Sequence, residues 1–228
     1  MTERKKIGIL GGTFNPIHYG HLRFAEAVME AESLFRVVFV PSFSPPLKCE
    51  GMVDFYKRLG MVDLAIQENS RFWLSTIEKD LPTPSYTYNT LWEMVRRSPK
   101  SRYVFITGIG SWLEMAQWHR PLELLGLCDF VFVSDGYGVD TEAVECDGPQ
   151  EVIEKLRRVP SNIYNPQIAY EHPSGTTIRF IALRTPHIRS TDIRLLRGNN
   201  QSIRYLVPES VRGFIEEHGL YLPEEARI

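Results

Sequence analysis

The feature that most constrains this chain is a short apolar run that ends at two glycines and leads into a helical pattern, IGILGGTFNPIHYGHL at residues 7–22. Residues 6–10 have the length and apolar content of a buried parallel strand. Gly11 and Gly12 let backbone N–H groups approach a ligand, because they carry no Cβ. The helical pattern at residues 20–32 would present its N-terminus to an anion. The stretch therefore predicts a strand, a phosphate-binding turn and a helix.

Two histidines lie at the start of the predicted helix. His18 and His21 are three residues apart, so they face the same direction, and Gly20 between them keeps that face open. Both imidazoles can then converge on one phosphate. Such a pair can also be half of a metal site, but the chain has six histidines in all and no Cys-x-x-Cys motif, so no further ligand set stands out.

Composition limits the cellular setting and the partners. A chain of 228 residues that is 43% hydrophobic can bury one sizeable core, so we expect one domain over residues 1–228. A net charge of −2 argues against a general nucleic-acid or membrane-surface binder. Cys49, Cys128 and Cys146 are widely spaced and fit free thiols of a reducing compartment. With no apolar signal region or membrane-length run, we expect a cytoplasmic protein with no membrane partner.

Strand and helix patterns alternate along the rest of the chain. Further apolar or β-branched runs predict strands at residues 36–41, 72–77, 102–107, 130–134 and 177–183. Helical periodicity predicts helices at residues 54–69, 85–97, 111–117, 122–127 and 211–219. The order predicts an α/β fold, a doubly wound, Rossmann-like parallel sheet with helices on both faces and a C-terminal helical segment. Ligands should bind at the topological switch point, where the histidine loop is expected.

Residues 135–176 are rich in glycine and proline around one helical segment, 150–159. We interpret this stretch as a variable insertion. It either covers the ligand site or lengthens the surface, and the second interpretation is favoured.

The histidine loop resembles the signature of the nucleotidylyltransferase superfamily, Gly-x-Phe-x-Pro-x-His-x-Gly-His. The matching residues are Gly12, Phe14, Pro16, His18, Gly20 and His21. Residues 188–194 are similar to the second signature, Ile-Ser-Ser-Thr-x-Ile-Arg, with Arg189 in place of the first serine. The resemblance covers residues 7–221, with 135–176 as its weak part. It points to the nicotinate mononucleotide adenylyltransferases, and implies transfer of AMP from ATP to nicotinate mononucleotide in NAD biosynthesis, releasing pyrophosphate.

The resemblance implies roles for the catalytic and ATP-binding residues. His18 and His21 would act as positive donors to the α- and β-phosphates, and Lys48 and Arg194 would contact the leaving pyrophosphate. Lys48 follows two prolines in a loop that is Pro-Pro-His-Lys in the family, and Leu47 replaces that histidine. ATP-binding roles fall to Gly11, Gly12, Thr13, Phe14, Ser190 and Thr191. Taken singly, Ser190 or Thr191 could be a helix cap and Arg194 a surface charge. Together, hydroxyls and backbone N–H groups at a helix start with an arginine one turn along make an anion site.

No carboxylate cage for a cation is evident in the sequence. Mg²⁺ is therefore expected as a cofactor bound through the ATP phosphates and waters, with no metal site of the protein's own.

The acceptor is expected beside the third predicted helix. The resemblance implies contacts from Asn15, Tyr86, Thr87, Tyr88, Gly108 and Trp118. Ser85 or Thr87 could instead be an ordinary helix cap. Trp118 would stack on the pyridine ring, and Trp112 is expected in the core. The family's Gly-x-Asp pattern has its acid where this chain has Gly110, so the acceptor ribose should be held more weakly unless the insertion provides a substitute.

Other functions remain open at this point. The acceptor could be nicotinamide mononucleotide or another phosphate ester, although we expect the acid to be preferred because backbone N–H groups near residues 86–88 would attract a carboxylate. A nucleotide-binding regulatory protein without turnover is a second class, suggested by Gly110 and Arg189. The expected partners are ATP and nicotinate mononucleotide, with no nucleic acid, and a homo-oligomer is possible.

Overall fold

The strands of this chain form one sheet in a computed structural model that describes residues 5–46, 51–136, 139–140, 144–160 and 168–223. The strands are β1 Lys6–Gly12, β2 Arg36–Pro41, β3 Phe72–Leu74, β4 Arg102–Gly108, β5 Asp129–Asp135, β6 Arg157–Val159, β7 Ile168–Glu171 and β8 Thr177–Leu183. The helices are α1 Tyr19–Ala31, α2 Phe55–Ile66, α3 Thr87–Arg97, α4 Ile109–Leu113, α5 Pro121–Leu125, α6 Gln150–Ile153, α7 Ser190–Gly198 and α8 Glu209–Glu217.

The sheet has the order β3-β2-β1-β4-β5-β8-β7-β6. The pairs from β3 to β8 are parallel, whereas β7 and β6 run antiparallel at the edge. The predicted α/β fold is therefore confirmed, and the sheet is mixed because two short strands extend it.

Alternation of apolar side chains places a core on each face of the sheet. In β5, Phe130 and Phe132 belong to one buried cluster, and Val131 and Val133 to the other, as expected for a strand that is buried on both faces. The helices α1, α2, α7 and α8 contribute to one cluster, and α3, α4 and α5 to the other. Trp112 is fully buried, as predicted. The sheet is thus doubly wound.

Two segments end earlier than the sequence predicts. The third strand ends at Leu74, and Ile77 begins a 3₁₀ turn, although its side chain is still buried. The helix predicted over residues 150–159 is only α6, and the chain then turns into β6. An apolar residue marks burial but not the type of backbone, which explains both differences. Within the described ranges, no helix is long and apolar enough to cross a membrane.

The switch point lies between β1 and β4. The chain runs from β1 outward to β2 and β3, and then returns to form β4 on the other side of β1. The loops after Gly12 and Gly108 therefore diverge at the carboxyl edge and leave a crevice between them. The histidine loop, residues 13–18, lies at this crevice, as predicted.

Candidate active site

The two histidines of this loop lie ring against ring at the start of α1. Their ring centroids are 3.7 Å apart and the ring planes differ by 24°. His18 is the N-cap residue of α1, and its Nδ1 accepts a hydrogen bond from the His21 backbone N–H at 3.3 Å. Because Nδ1 is an acceptor, the neutral His18 ring carries its proton on Nε2. The cap therefore leaves Nε2–H as the donor for a ligand.

Burial keeps both imidazoles neutral. It lowers the pKa of His18 to about 4. The pKa of His21 also lies well below its usual value, first because of burial and then because of the neighbouring His18. The sequence predicted positive donors, but without a ligand the structure provides neutral N–H donors. A phosphate against the rings would raise both pKa values, because an opposite charge favours the protonated form.

Small and apolar residues hold the histidine rings in place. A Cβ on Gly20 would lie 2.9 Å from His18 Nδ1 and 3.3 Å from the Ile188 carbonyl oxygen, so only glycine fits there. Phe14 is 2% exposed and its ring meets the His21 ring edge-on at 5.1 Å. Phe14 was predicted to bind ATP, but its side chain supports His21 from the core, which leaves only its backbone for a nucleotide.

The second signature docks onto the first. At the start of α7, the Ser190 hydroxyl donates to the Pro16 carbonyl at 2.8 Å. One turn later, Arg194 Nη1 donates to the Asn15 carbonyl at 2.9 Å. Ser190 is therefore engaged with the histidine loop and does not cap α7, since no side chain caps that helix. Thr191 is exposed on the same first turn.

Arg189 does not add a free charge to this helix start. Its guanidinium donates twice to the Asp192 carboxylate, both at 2.9 Å. The serine-to-arginine departure from the family signature is thereby neutralised within the same turn.

A cavity of about 470 Å³ adjoins the glycine turn. It brings together most of the residues predicted for ATP and the acceptor, namely Gly11, Gly12, Thr13, Tyr86, Thr87, Tyr88 and Trp118. Trp118 meets Phe105 edge-on, with ring centroids 6.4 Å apart. The α3 helix begins at Thr87 after the N-cap residue Tyr86, and no side chain caps it. Its first turn therefore borders the cavity without a capping side chain.

The cavity also contains a histidine that sequence reasoning missed. His119 lies on Tyr86 with a centroid distance of 4.4 Å and an interplanar angle of 20°. It also meets Tyr88 edge-on at 6.0 Å, and the Arg120 guanidinium lies 4.4 Å from the same Tyr88 ring. The sequence signal that could have identified His119 was its position next to Trp118, which was predicted to contact the acceptor. Together these side chains make part of the cavity lining aromatic.

Two residues predicted to contact the acceptor are placed elsewhere. Asn15 is 3% exposed, and its side-chain amide binds the Gly51 carbonyl, the Val53 N–H and the Tyr221 hydroxyl. It therefore braces the loop and is absent from the cavity lining. Gly108 ends β4 and precedes α4, also outside that lining.

Two buried charged residues hold the loops around the cavity, and neither was predicted. Arg58 is 1% exposed. Its guanidinium donates to the carbonyls of Thr13 and Ser42 at 2.7 Å each and to that of Val53 at 3.1 Å. Glu78 accepts from the Phe43 N–H at 3.1 Å and from the Thr90 hydroxyl at 2.8 Å. Arg58 thus joins the loops that follow β1 and β2, and Glu78 fixes the second of them against α3.

Lys48, predicted to be catalytic, lies outside the described residues. The described residues on either side of it are anchored, since Ser44 binds Ser85 and Gly51 binds Asn15. In the described part of the chain, no three His, Cys, Asp or Glu side chains come together as a metal site.

The chain is similar to known proteins along most of its length. The profile of the cytidylyltransferase-like family matches residues 9–196. A probable nicotinate-nucleotide adenylyltransferase from Trichlorobacter lovleyi is 38% identical over 96% of this chain and 100% of its own length. One from Geobacillus kaustophilus is also 38% identical, over 95% of this chain and 86% of its own.

Solved structures share the fold at lower sequence identity. Plasmodium falciparum nicotinic acid mononucleotide adenylyltransferase complexed with NaAD superposes with a TM-score of 0.68 and 17% identity. The same protein complexed with APC gives a TM-score of 0.65 and 17% identity. Both alignments cover 95% of this chain and 97% of the other.

Proposed function

Because this chain belongs to the nicotinate-nucleotide adenylyltransferases within the cytidylyltransferase-like family, we propose that its crevice transfers the adenylyl group of ATP to nicotinate mononucleotide. The observation that carries the proposal is the continuity of the site. The glycine turn beside the histidine pair also lines the aromatic cavity that holds Tyr86 and Trp118. A triphosphate and a flat mononucleotide can therefore meet at one place.

The reaction needs positioning and charge stabilisation more than proton transfer. An oxygen of the acceptor phosphate attacks the α-phosphorus of ATP, and the bond from that phosphorus to the oxygen bridging to the β-phosphate breaks. Pyrophosphate leaves with that electron pair. The nucleophile is already an anion, so no general base is required, and the barrier lies in bringing two anions together.

The histidine pair supplies donors where negative charge gathers. His18 Nε2–H and the His21 ring would contact the α- and β-phosphate oxygens, beside the backbone turn of Gly11, Gly12 and Thr13. Their buried position strengthens each hydrogen bond. The α7 start with Thr191 and Arg194, together with Lys48, would hold the outer phosphates.

A divalent cation fits this site only if ATP brings it. The described residues hold no cluster that could bind a metal, so Mg²⁺ would be bound by phosphate oxygens and water. It would neutralise part of the charge of the leaving pyrophosphate. Cys128 and Cys146 are free thiols, which supports the cytoplasm as the location of the reaction.

The acid is the proposed acceptor, in preference to the amide. The first turn of α3 has no side-chain cap and borders the cavity at Thr87 and Tyr88. A nicotinate carboxylate gains from those N–H groups and from the helix dipole, whereas a neutral amide gains far less.

Pyrophosphate release tests the proposal directly. The protein is given ATP with nicotinate mononucleotide or with nicotinamide mononucleotide, and the parent is compared with His18→Ala and His21→Ala. We expect faster release with the acid, and turnover reduced about a hundredfold or more in each variant with a smaller effect on ATP affinity. Equal use of both acceptors would contradict the proposal that the first turn of α3 favours the acid. No release with either acceptor would favour the non-catalytic regulatory protein.

A further inference from the structure

The cavity lining contains two carboxylates in different states. Glu78 is buried, and its two oxygens accept from the Phe43 N–H and the Thr90 hydroxyl. Glu114 is exposed and also lines the cavity, together with Gln117 and Trp118. Among the described residues, no hydrogen bond or ion pair engages the Glu114 side chain. Glu114 is thus the carboxylate of this lining that is free to bind a ligand.

A free carboxylate in this position is unfavourable for an anionic ligand unless it makes a specific contact. No lysine or arginine belongs to the described lining of the cavity. The proposed acceptor carries a phosphate and a nicotinate carboxylate, and like charges repel by about 1 kcal/mol at 4 Å even in water. A carboxylate has two oxygens that can accept from two neighbouring hydroxyl groups at once. The chemical group that suits it is a vicinal diol.

We propose that Glu114 accepts hydrogen bonds from the two ribose hydroxyls of the acceptor mononucleotide. The inference rests on the proposed function, because that function supplies a ribose linked to the ring that would lie on Trp118. Glu114 then makes the cavity selective for ribonucleotides over deoxyribonucleotides. The contact would offset the repulsion, since hydrogen bonds to a charged group are stronger than neutral ones.

The place of Glu114 in the chain explains how the cavity can hold the acceptor ribose although residue 110 is a glycine. The Glu114 N–H donates to the Gly110 carbonyl at 3.2 Å, so the two residues are one helical turn apart. Residues at this spacing share a helix face. The acid absent at residue 110 would therefore be supplied one turn later, by the C-cap residue of α4. The insertion at residues 135–176 was the expected substitute, but its described part contributes no residue to the cavity lining.

Gly110 offers a second position for a carboxylate. A Cβ at this residue would meet no atom within 4 Å, so Gly110→Asp introduces no clash at its Cβ. An aspartate there could partly replace Glu114, which allows a rescue experiment.

The experiment measures adenylyl transfer to nicotinate mononucleotide and to its 2′-deoxyribose and 3′-deoxyribose analogues. The proteins are the parent, Glu114→Ala, Glu114→Gln and the double variant Glu114→Ala with Gly110→Asp. Glu154→Gln is the control, because Glu154 is exposed at the end of α6 and outside the cavity. In Glu114→Ala we expect the acceptor KM to rise about tenfold or more, with the ATP KM unchanged, since one charged hydrogen-bond acceptor is lost.

The analogues separate a ribose contact from a general loss of binding. The parent should disfavour both deoxy analogues, Glu114→Ala should use them nearly as well as the ribonucleotide, and the double variant should regain part of the preference. Glu114→Gln should lie between parent and Glu114→Ala. An active parent whose acceptor KM and ribose preference survive in Glu114→Ala would overturn this inference alone. A parent that transfers to neither acid nor amide would overturn the proposed function and this inference with it.

Discussion

His18 uses one ring for two purposes. Its Nδ1 caps α1, and this fixes the tautomer in which Nε2–H can donate. The ring is 4% exposed and lies against Gly20 on one side and His21 on another. Its orientation therefore follows from local packing. A preformed donor of this kind loses little free energy to reorganisation during the reaction.

Gly20→Ala should displace the His18 ring. The added Cβ would lie 2.9 Å from Nδ1, closer than real Cβ atoms approach, and the Ile188 carbonyl blocks the other direction. We expect turnover to fall about tenfold to a hundredfold, because an ångström of misplacement at a catalytic group has effects of this order. Gly213→Ala is the matched control, since Gly213 lies in α8 and a Cβ there meets nothing within 4 Å. Similar turnover in the two variants would show that the ring is not held by this contact.

Trp118→Ala should weaken acceptor binding. Trp118 lines the cavity and is supported edge-on by Phe105, and loss of one base stack costs about 1–3 kcal/mol. The acceptor KM should rise roughly tenfold to a hundredfold while the ATP KM changes little. Trp73→Ala serves as the control, because Trp73 is 51% exposed on β3. An unchanged acceptor KM would place the pyridine ring elsewhere, with the Tyr86–His119 pair as the next candidate.

At the scale of elements, α2 and α7 hold the histidine loop from two sides. The α7 residues Ser190 and Arg194 bind the carbonyls of Pro16 and Asn15. From α2, Arg58 binds the Thr13 carbonyl as well as the loop after β2. Burial lowers the pKa of Arg58, and the nearby Tyr221, Asp54 and Glu78 act against that effect. The loop after β1 is thus part of a framework that reaches across the sheet edge.

Arg58→Met should destabilise the protein and impair catalysis together. Three partly buried carbonyls would lose their donor, and an unsatisfied group costs about 1–3 kcal/mol when it is fully buried. Arg58→Lys keeps the charge but cannot reach three acceptors, so we expect a smaller loss of stability with a raised ATP KM and a lowered kcat. Denaturation curves and steady-state kinetics measure both effects. Lys57→Met is the control on the same helix, where the ion pair with Asp54 is 3.9 Å long and exposed. If the Arg58 variants have the same stability and kinetics as Lys57→Met, Arg58 does not hold these loops in place.

The parallel strands could be predicted from the sequence because each is a short apolar run of its own. The signature residues His18, Gly20 and His21 were equally readable, since their roles depend on local spacing. The edge strands β6 and β7 were missed because they are short and one includes Arg157 and Arg158. Their pairing depends on β8, and no local pattern encodes it.

At the scale of the whole molecule, the site is assembled from residues that are far apart in the chain. The Tyr221 hydroxyl donates to Asn15 Oδ1 at 2.9 Å, across 206 positions of sequence. Asn15 therefore could not be distinguished from an acceptor ligand by sequence alone, and Arg58 could not be distinguished from an ordinary helix charge. Because the C-terminal segment binds the histidine loop, global stability and the geometry of the loop should be linked.

The pH dependence of stability tests whether burial keeps His18 neutral in the folded protein. Its pKa is about 4 in the folded protein and about 6.5 when the chain is unfolded, so between these values the unfolded state binds more protons. The stabilisation is fully present above pH 6.5 and is lost as the pH falls toward 4, by up to about 3 kcal/mol. His18→Asn removes the titration but keeps a residue that caps helices well. Urea unfolding of parent and variant at pH 7.5, 6.5, 5.5 and 4.5 should show a steeper loss for the parent on acidification, with a difference of about 2–3 kcal/mol accumulated by pH 4.5. If the free energy of unfolding falls equally with pH in parent and variant, burial does not hold His18 neutral. The description of His18 as a neutral N–H donor would then be wrong.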